Sequence, residues 1–240
     1  ELYLASPKGF NDPFDRGIPP DFSLLQTNQD KIDYVHSLTI RLQDSLKAQG
    51  YTYNEAMKVG LERLKDFDNF QKNAIRTTTD YQNAYWGILS LTAVWDNTLM
   101  WSHYGNNHKG FCIGFDEEKL RTSGFFGKGG NVMYTDTYPS IHPNDTTFSI
   151  LASHVKAKDW EYEKEYRLTK LFYPKGSVDD RVVTIEDSFF KEVILGCDFP
   201  KALVNDIRRE CMKKNIPLYQ ATQVPMAFKL ERHPLYFHNY

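Results

Sequence analysis

The chain has few cysteines and no long hydrophobic run. Its three cysteines, Cys112, Cys197 and Cys211, are an odd number, and their spacing does not match a metal site. We therefore expect buried free thiols in a reducing cytoplasm. No apolar stretch approaches the roughly 20 residues that a membrane-spanning helix needs, and no secretory leader pattern opens the sequence. These absences predict a cytoplasmic protein with no membrane partner.

The sequence also lacks a strong charge of either sign. It has 29 Lys and Arg against 31 Asp and Glu, a formal net charge of −2, and no basic run. A broad nucleic-acid-binding face is therefore not expected, although a local patch stays open. The glycine-rich phosphate loop, the dinucleotide-type G-x-G-x-x-G, the G-x-S-x-G elbow and the kinase motifs are missing as well. The common enzyme classes built on those motifs are excluded.

Aromatic residues are abundant. They make up 15% of the chain, and hydrophobic residues make up 41%, so a sizeable core and aromatic-lined pockets can form. A length of 240 residues fits one large domain or two small ones. We predict a single α+β domain over residues 1–240 with a central, mostly antiparallel β core. A helical pair is inserted near residues 30–75, and Val193–Ala221 forms a C-terminal β-α-β unit.

The ends of the predicted elements follow from local patterns. A strand is expected over Leu2–Ser6, and Asn54 is a plausible N-cap of the second inserted helix. Thr146–Lys158 is predicted to be helical, and Gly127–Gly130 to be a flexible turn. The chain starts at Glu1, directly before an apolar run, so we expect a further segment at the amino end.

The most informative stretch is Trp160–Arg167. Read as a strand, it places Glu161, Glu163, Glu165 and Arg167 on one face and mainly aromatic residues on the other. Read as a helix, it would mix the two groups. The alternation therefore predicts a strand that shows three carboxylates beside one guanidinium. Clustered like charges destabilise a strand unless cations, hydrogen bonds or a ligand offset them, which is typical of a cleft.

Two carboxylates at positions i and i+2 of a strand lie about 7 Å apart at their Cα atoms. Both can reach one small substrate, and their repulsion can raise one pKa into a useful range. Alternatively, the face is simply exposed, with Lys164 and Arg167 balancing the charge. The sequence leaves these two interpretations at about even weight.

Two loops carry further polar side chains. Trp101–Phe111 contains His103, Tyr104 and His108 between a helix end and a buried strand, and such loops suit ligand contact. Its histidines do not follow the H-E-x-x-H metal pattern, and local packing is the alternative role. In Asn11–Asp15 the proline after Asp12 restricts the backbone, which fits either a ligand-shaping loop or a rigid turn.

Four segments together resemble a bacterial family known only as domain of unknown function 2971. These segments are Leu2–Asp15, Leu99–Asp116, Lys158–Arg167 and Glu192–Gly196. The resemblance spans most of the chain and implies no activity.

The Glu-x-Glu stretch is more distantly similar to the catalytic strand of ADP-ribosyltransferases. That resemblance implies that Glu165 contacts the nicotinamide ribose of NAD and that Glu163 positions or activates the acceptor. Ser6 would match the serine of a strand near the amino end. The strand that carries the cofactor-binding Arg or His in that superfamily would precede Leu2.

The resemblance extends to the cofactor pocket. It assigns His103 and Tyr104 to the nicotinamide site, and we add Asn11 and Arg167 as candidate cofactor-binding residues. No metal is expected in this interpretation.

The leading hypothesis is an NAD-consuming enzyme that transfers ADP-ribose or hydrolyses NAD. NAD is its substrate and small-molecule nucleotide partner, and the setting is a defence or toxin-type effector. Two alternatives stay open. One is a metal-dependent nuclease or hydrolase that uses the carboxylates with His103 or His108. The other is a non-catalytic ligand-binding or sensor domain.

Overall fold

Two β-sheets, of four and three strands, form the centre of the fold in the computed structural model, which describes residues 1–145 and 151–235. The predicted α+β class is confirmed. The strands are β1 (Leu2–Tyr3), β2 (Trp86–Thr92), β3 (Phe111–Phe115), β4 (Lys128–Asn131), β5 (Met133–Thr135), β6 (Val155–Ala157), β7 (Glu165–Leu171), β8 (Val182–Val183), β9 (Phe190–Leu195), β10 (Leu218–Gln223) and β11 (Leu230–Pro234).

Most described helices lie in the first half of the chain. The helices that the structure describes are α1 (Asn28–Arg41), α2 (Gln43–Ala48), α3 (Tyr53–Arg63), α4 (Phe67–Tyr85), α5 (Thr98–His103), α6 (Glu117–Thr122) and, in the second half, α7 (Lys201–Lys213). Short 3₁₀ helices join them at Pro7–Gly9, Pro13–Asp15, Phe22–Leu24, Lys158–Glu163, Asp179–Arg181 and Asp187–Phe189.

The four-stranded sheet has the order β11-β10-β9-β3. Strands β9 and β10 are parallel and are joined through α7, so the predicted C-terminal β-α-β unit is confirmed. The other two pairs of this sheet are antiparallel. Val193 and Leu218 of the two parallel strands pack with Cys211 of α7 in a local core.

The three-stranded sheet has the order β2-β7-β4, with both pairs antiparallel. Its central strand β7 buries Leu168 completely, in a core that includes Leu4, Leu89 and Leu120. Ala5 forms an isolated antiparallel bridge with Ile88, which brings the amino-terminal segment to the edge of β2. Two small ladders, β1 with β8 and β5 with β6, complete the pairing.

A buried arginine fixes the amino-terminal segment. Arg181 donates hydrogen bonds to the carbonyl oxygens of Leu4, Trp86 and Asn83 at 3.2, 2.7 and 2.9 Å. Its guanidinium also lies 5.2 Å from the Phe172 ring centroid. Because α4 ends at Tyr85, this cation satisfies carbonyl groups at a helix end that would otherwise lack partners.

The helical insertion is longer than predicted. Four helices, α1 to α4, occupy residues 28–85, where the sequence predicts a pair near 30–75. The expected N-cap Asn54 is wrong: Thr52 caps α3, and Thr52 and Glu55 satisfy each other's backbone N–H groups in a capping box. Periodicity reveals the apolar stripe, but it does not show where the chain breaks between short helices.

Several strand limits also differ from the prediction. The strand expected over Leu2–Ser6 ends at Tyr3, and Gly127–Gly130 is not a free turn because Lys128–Asn131 pairs with β7. Of the helix expected over Thr146–Lys158, residues 146–150 lie outside the described residues, whereas Val155–Ala157 is strand β6. Pairing with a neighbouring strand overrides local preference in these segments.

In the part of the chain that the structure describes, no helix is long and apolar enough to cross a membrane. The three cysteines are free. Cys211 is buried as expected, but Cys112 and Cys197 are only partly buried.

Candidate functional site: a buried charged cluster in the wall of a cavity

The acidic stretch is not one continuous strand. Lys158–Glu163 forms a 3₁₀ helix, Lys164 has left-handed backbone angles (φ 45°, ψ 50°), and β7 begins at Glu165. The predicted strand over Trp160–Arg167 is therefore wrong in its first half. Over so few residues, polar and apolar side chains alternate in a tight turn much as they do in a strand.

Contacts with the last residue of β2 and with the segment that follows it hold this turn. The Asn97 side-chain amide donates to the Tyr162 carbonyl at 3.1 Å, and the Thr92 hydroxyl donates to the Glu163 carbonyl at 2.6 Å. The Ala93 backbone amide donates to the Lys164 carbonyl at 3.0 Å. Glu161 is left exposed and does not share a face with the other two acids.

Glu163 and Glu165 nevertheless converge, because both bind one lysine. Lys156 Nζ lies 2.6 Å from Glu163 Oε2 and 3.2 Å from Glu165 Oε2. The lysine comes from β6, and its ammonium also lies 4.8 Å from the Trp160 ring centroid. The left-handed residue between the two acids reverses the turn so that both carboxylates point to the same place.

Arg167 holds Glu165 from the other side. Its Nε donates to Glu165 Oε1 at 2.7 Å and its Nη2 to Glu165 Oε2 at 2.9 Å, a bidentate pair. Nη2 also donates to Asp15 Oδ2 at 2.5 Å, and Nη1 donates to the Ser153 carbonyl at 2.8 Å. The Phe10 ring centroid lies 5.0 Å from the guanidinium carbon. The Glu165 side chain is thus fixed in one orientation.

We call these five side chains the charged cluster: Asp15, Lys156, Glu163, Glu165 and Arg167. Each side chain is at most 6% exposed. Three carboxylates and two cations give a net charge of −1 when all are ionised. Buried charges are tolerated only when they are paired and hydrogen-bonded, as they are here.

Burial and pairing move the pKa values of the cluster in different directions. Burial raises the pKa of Glu165, but the Arg167 hydrogen bonds and the charges of Arg167 and Lys156 outweigh it, so the pKa lies below the ordinary value of 4.5. For Asp15 burial prevails over the same cations, and its pKa lies above the ordinary 3.8. The carboxylates raise the pKa of Lys156 despite its burial, so this lysine stays charged.

We expect the pKa of Glu165 to lie below its ordinary value of 4.5 and the pKa of Asp15 to lie above its ordinary value of 3.8. Glu165 then stabilises the fold above its unfolded pKa, and this contribution is lost as the pH falls through its folded pKa. Asp15 has the opposite sign: its contribution is present below pH 3.8 and is lost as the pH rises through its folded pKa. Carboxyl ¹³C titration by NMR, with Asp15→Asn for assignment, measures both values. A Glu165 pKa above 4.5 or an Asp15 pKa below 3.8 would contradict this expectation.

The charged cluster borders a cavity of about 820 Å³. The cavity is lined from both main sheets, by Ile88 to Thr92 of β2 and by Cys112 to Phe115 of β3. Lys156, Glu163, Glu165 and Asp15 form a polar part of its wall, which is otherwise mainly apolar. A largely apolar pocket with a few converging polar groups is the usual form of a small-molecule site.

Asn11 and Tyr104 reach the cluster at the edge of this cavity. The Tyr104 hydroxyl donates to Glu163 Oε1 at 2.7 Å and accepts from the Asn11 side-chain amide at 3.2 Å. Burial and the hydrogen bond to Glu163 raise the pKa of Tyr104 to about 12, so the phenol keeps its proton. Half of the Tyr104 residue is still exposed, at 52%.

The remaining predicted site residues are placed differently. Ser6 precedes the first 3₁₀ helix without capping it, and it is not among the described residues that line the cavity. His103 is exposed, with its ring 6.2 Å from that of Tyr104 and 6.4 Å from those of Trp160 and Tyr162. The structure thus brings Glu163, Glu165, Arg167, Asn11 and Tyr104 together and leaves Ser6 and His103 outside.

Sequence reasoning missed Lys156 and Asp15. Asp15 lies at the end of a loop that the sequence singles out, but its partner Arg167 is 152 positions away. Lys156 lies in a segment that was predicted to be helical, so its direction could not be inferred. Three acids near one arginine do imply a second buried cation, and that is the signal that could have been used.

In residues 1–145 and 151–235, no group of three or more His, Cys, Asp and Glu side chains is arranged to hold a metal ion. Lys156 Nζ occupies the point on which the three carboxylates converge, at 2.6 to 3.5 Å.

Residues 100–168 match a family model. It is described as a protein of unknown function (DUF2971), and the match covers less than half of the chain. The matched segment includes Tyr104 and four of the five cluster residues, which supports the family resemblance of the sequence. No curated protein and no solved structure matches the chain. The more distant resemblance to ADP-ribosyltransferases therefore has no support from these comparisons.

Proposed function

We propose that the protein cleaves the bond between nicotinamide and ribose in NAD and then transfers ADP-ribose or hydrolyses it. The observation that carries this proposal is the convergence of Glu163 and Glu165 on the wall of a ligand-sized cavity. Two fixed carboxylates with different surroundings suit the cleavage of a glycosidic bond, which needs one group at the sugar and another at the nucleophile.

In the proposed reaction the C1′–N bond breaks and its electron pair leaves with nicotinamide. Positive charge develops on the ribose, and Glu165, which stays ionised, accepts a hydrogen bond from a ribose hydroxyl and stabilises that charge. Water or an acceptor group then attacks C1′, and Glu163 takes the proton of this nucleophile. Arg167 and Lys156 keep both carboxylates in place before the substrate arrives.

Tyr104 and Asn11 have a positioning role in this proposal. The Tyr104 hydroxyl orients Glu163 through a hydrogen bond of 2.7 Å, and Asn11 orients the hydroxyl in turn. The exposed part of the Tyr104 ring is available to stack on the nicotinamide ring at the cavity edge. Release of nicotinamide inside a cell would deplete NAD, which suits the defence or toxin-type setting.

The test is nicotinamide release from NAD by the parent protein and by Glu165→Gln. Loss of the charge is expected to lower the rate about 10²- to 10³-fold, since it removes stabilisation of the developing positive charge. Glu161→Gln is the matched control, because this exposed acid lies on the same segment and pairs only with Lys164 among the described contacts. Its rate should equal that of the parent.

An unchanged rate in Glu165→Gln would overturn the assignment of this residue. A parent protein that gains thermal stability with NAD but forms no product would instead be a non-catalytic binding domain. The complete pairing of the cluster within the protein is the observation that favours this second candidate.

A further inference from the structure

A carboxylate outside the charged cluster, that of Glu192, also lines the cavity. Glu192 belongs to β9 of the four-stranded sheet, whereas Glu165 belongs to the three-stranded sheet, and both line the same space. Arg232 of β11 pairs with Glu192 Oε1 and lies 4.8 Å from the Tyr219 ring centroid and 5.3 Å from that of Trp95. Glu192 is therefore held in place by an arginine, as Glu165 is.

A glycine makes room for this side chain. Gly114 of β3 is the register partner of Glu192, and a Cβ atom at position 114 would lie only 2.7 Å from Glu192 Cγ. The register shifts between Gly114 and Phe115, which bends the strand at this point. Glu192 can thus lie across β3 beside the cavity, where a larger residue at position 114 would displace it.

The wall near Glu192 is aromatic and apolar. Trp95 and Phe115 line the cavity with Ile113 and Leu91. Glu117, which also lines it, is bound to Arg121 at 2.9 Å and to the Tyr166 hydroxyl at 2.7 Å. Every carboxylate on the wall thus has a cationic partner. Such paired carboxylates act toward a ligand as fixed hydrogen-bond acceptors, which suits sugar hydroxyls beside a stacked base.

We propose that Glu192 binds the two vicinal hydroxyls of a second ribose, that of the adenosine part of NAD, with the adenine ring against Trp95 and Phe115. A carboxylate that accepts from a ribose hydroxyl is a common way to hold a nucleoside. This inference rests on the proposed function for the identity of the ligand. The binding of a nucleoside diol at Glu192 can be measured without turnover.

The first experiment measures adenosine binding by calorimetry. The parent should bind adenosine, and 2′,3′-dideoxyadenosine should bind about 10- to 100-fold more weakly because the charge-assisted hydrogen bonds are lost. Glu192→Gln should weaken adenosine binding by a similar factor and abolish this preference. Glu231→Gln is the matched control, since this acid lies on β11 beside Arg232 but pairs with His233 and does not line the cavity. Equal binding of both nucleosides by the parent, or no binding of either, would overturn the proposal.

A second variant distinguishes the loss of a binding contact from a folding defect in Glu192→Gln. Gly114→Ala keeps every charge but places a methyl group against Glu192 Cγ. It should also weaken adenosine binding about 10-fold while thermal melting shows a folded protein. Normal adenosine binding by a folded Gly114→Ala variant would contradict the placement of Glu192.

The third experiment compares nicotinamide release from NAD with release from nicotinamide mononucleotide, which lacks the adenosine part. Glu192→Gln should raise KM for NAD about 10-fold and leave the mononucleotide reaction unchanged, whereas Glu165→Gln should impair both. Equal impairment of both reactions by Glu192→Gln would overturn this inference and leave the proposed function intact. No release from either substrate by the parent, with diol-dependent adenosine binding at Glu192, would reject the proposed function and keep the subsite.

Discussion

Replacing Arg167 by methionine is expected to lower the free energy of unfolding by about 3 to 5 kcal/mol. The arginine is 1% exposed and binds two carboxylates and a carbonyl group. Without it, Lys156 is the one cationic partner that Asp15 and Glu165 keep among the described residues, and this lysine also binds Glu163. Urea unfolding of the parent and the variant measures the difference.

Arg209→Met is the matched control for this change. Arg209 pairs with Asp206 at 2.7 Å, but its side chain is 63% exposed, so its loss should change stability by less than about 1 kcal/mol. Adding Asp15→Asn to Arg167→Met should recover part of the loss, because it removes one uncompensated charge. If Arg167→Met unfolds at the same urea concentration as Arg209→Met, the charged cluster does not stabilise the fold in this way.

Gly196→Ala is expected to destabilise the protein by about 3 kcal/mol. A Cβ atom at this position would lie 2.1 Å from the His108 carbonyl oxygen and 3.1 Å from the Gly110 carbonyl oxygen. Both are backbone atoms, so no side-chain rotation relieves the clash. Three consecutive residues of this loop, Asn106, Asn107 and His108, already have positive φ angles of 50°, 52° and 65°. A backbone so constrained has little freedom to move away.

Gly127→Ala serves as the control for Gly196→Ala. The nearest atom to an added Cβ at position 127 is the Thr169 carbonyl oxygen, at an ordinary contact distance of 3.8 Å. Its effect should stay within about 0.5 kcal/mol. If Gly196→Ala is as stable as Gly127→Ala, the backbone of residues 106–110 can move away from the added methyl group at little cost, and the prediction is wrong.

The elements with strong periodic patterns were predictable from the sequence. The C-terminal β-α-β unit predicted over Val193–Ala221 appears as expected, with the helix Lys201–Lys213 between two parallel strands. The limits were wrong at Thr52 and at Val155–Ala157, where a capping box and a strand pairing decide the structure. Neither interaction follows from hydrophobic periodicity alone.

The composition of the site was predictable only in part. Glu163, Glu165 and Arg167 do form a buried charged group, although the strand that was expected to align them begins only at Glu165. The sequence did not predict Lys156 as a site residue, because its position depends on the pairing of β5 with β6. Whether these residues act as predicted on NAD stays a prediction.

The bond between Asp15 and Arg167 also governs when the site can exist during synthesis. The two residues are 152 positions apart, so most of the chain must leave the ribosome before Asp15 meets its partner. Contacts of such long range close late, because the entropy of a large loop must be overcome first. Glu192 emerges later still. A nascent or truncated chain that ends at residue 168 contains the whole segment matched by the family model, yet it lacks Glu192 and strand β9, with which the cavity-lining strand β3 pairs.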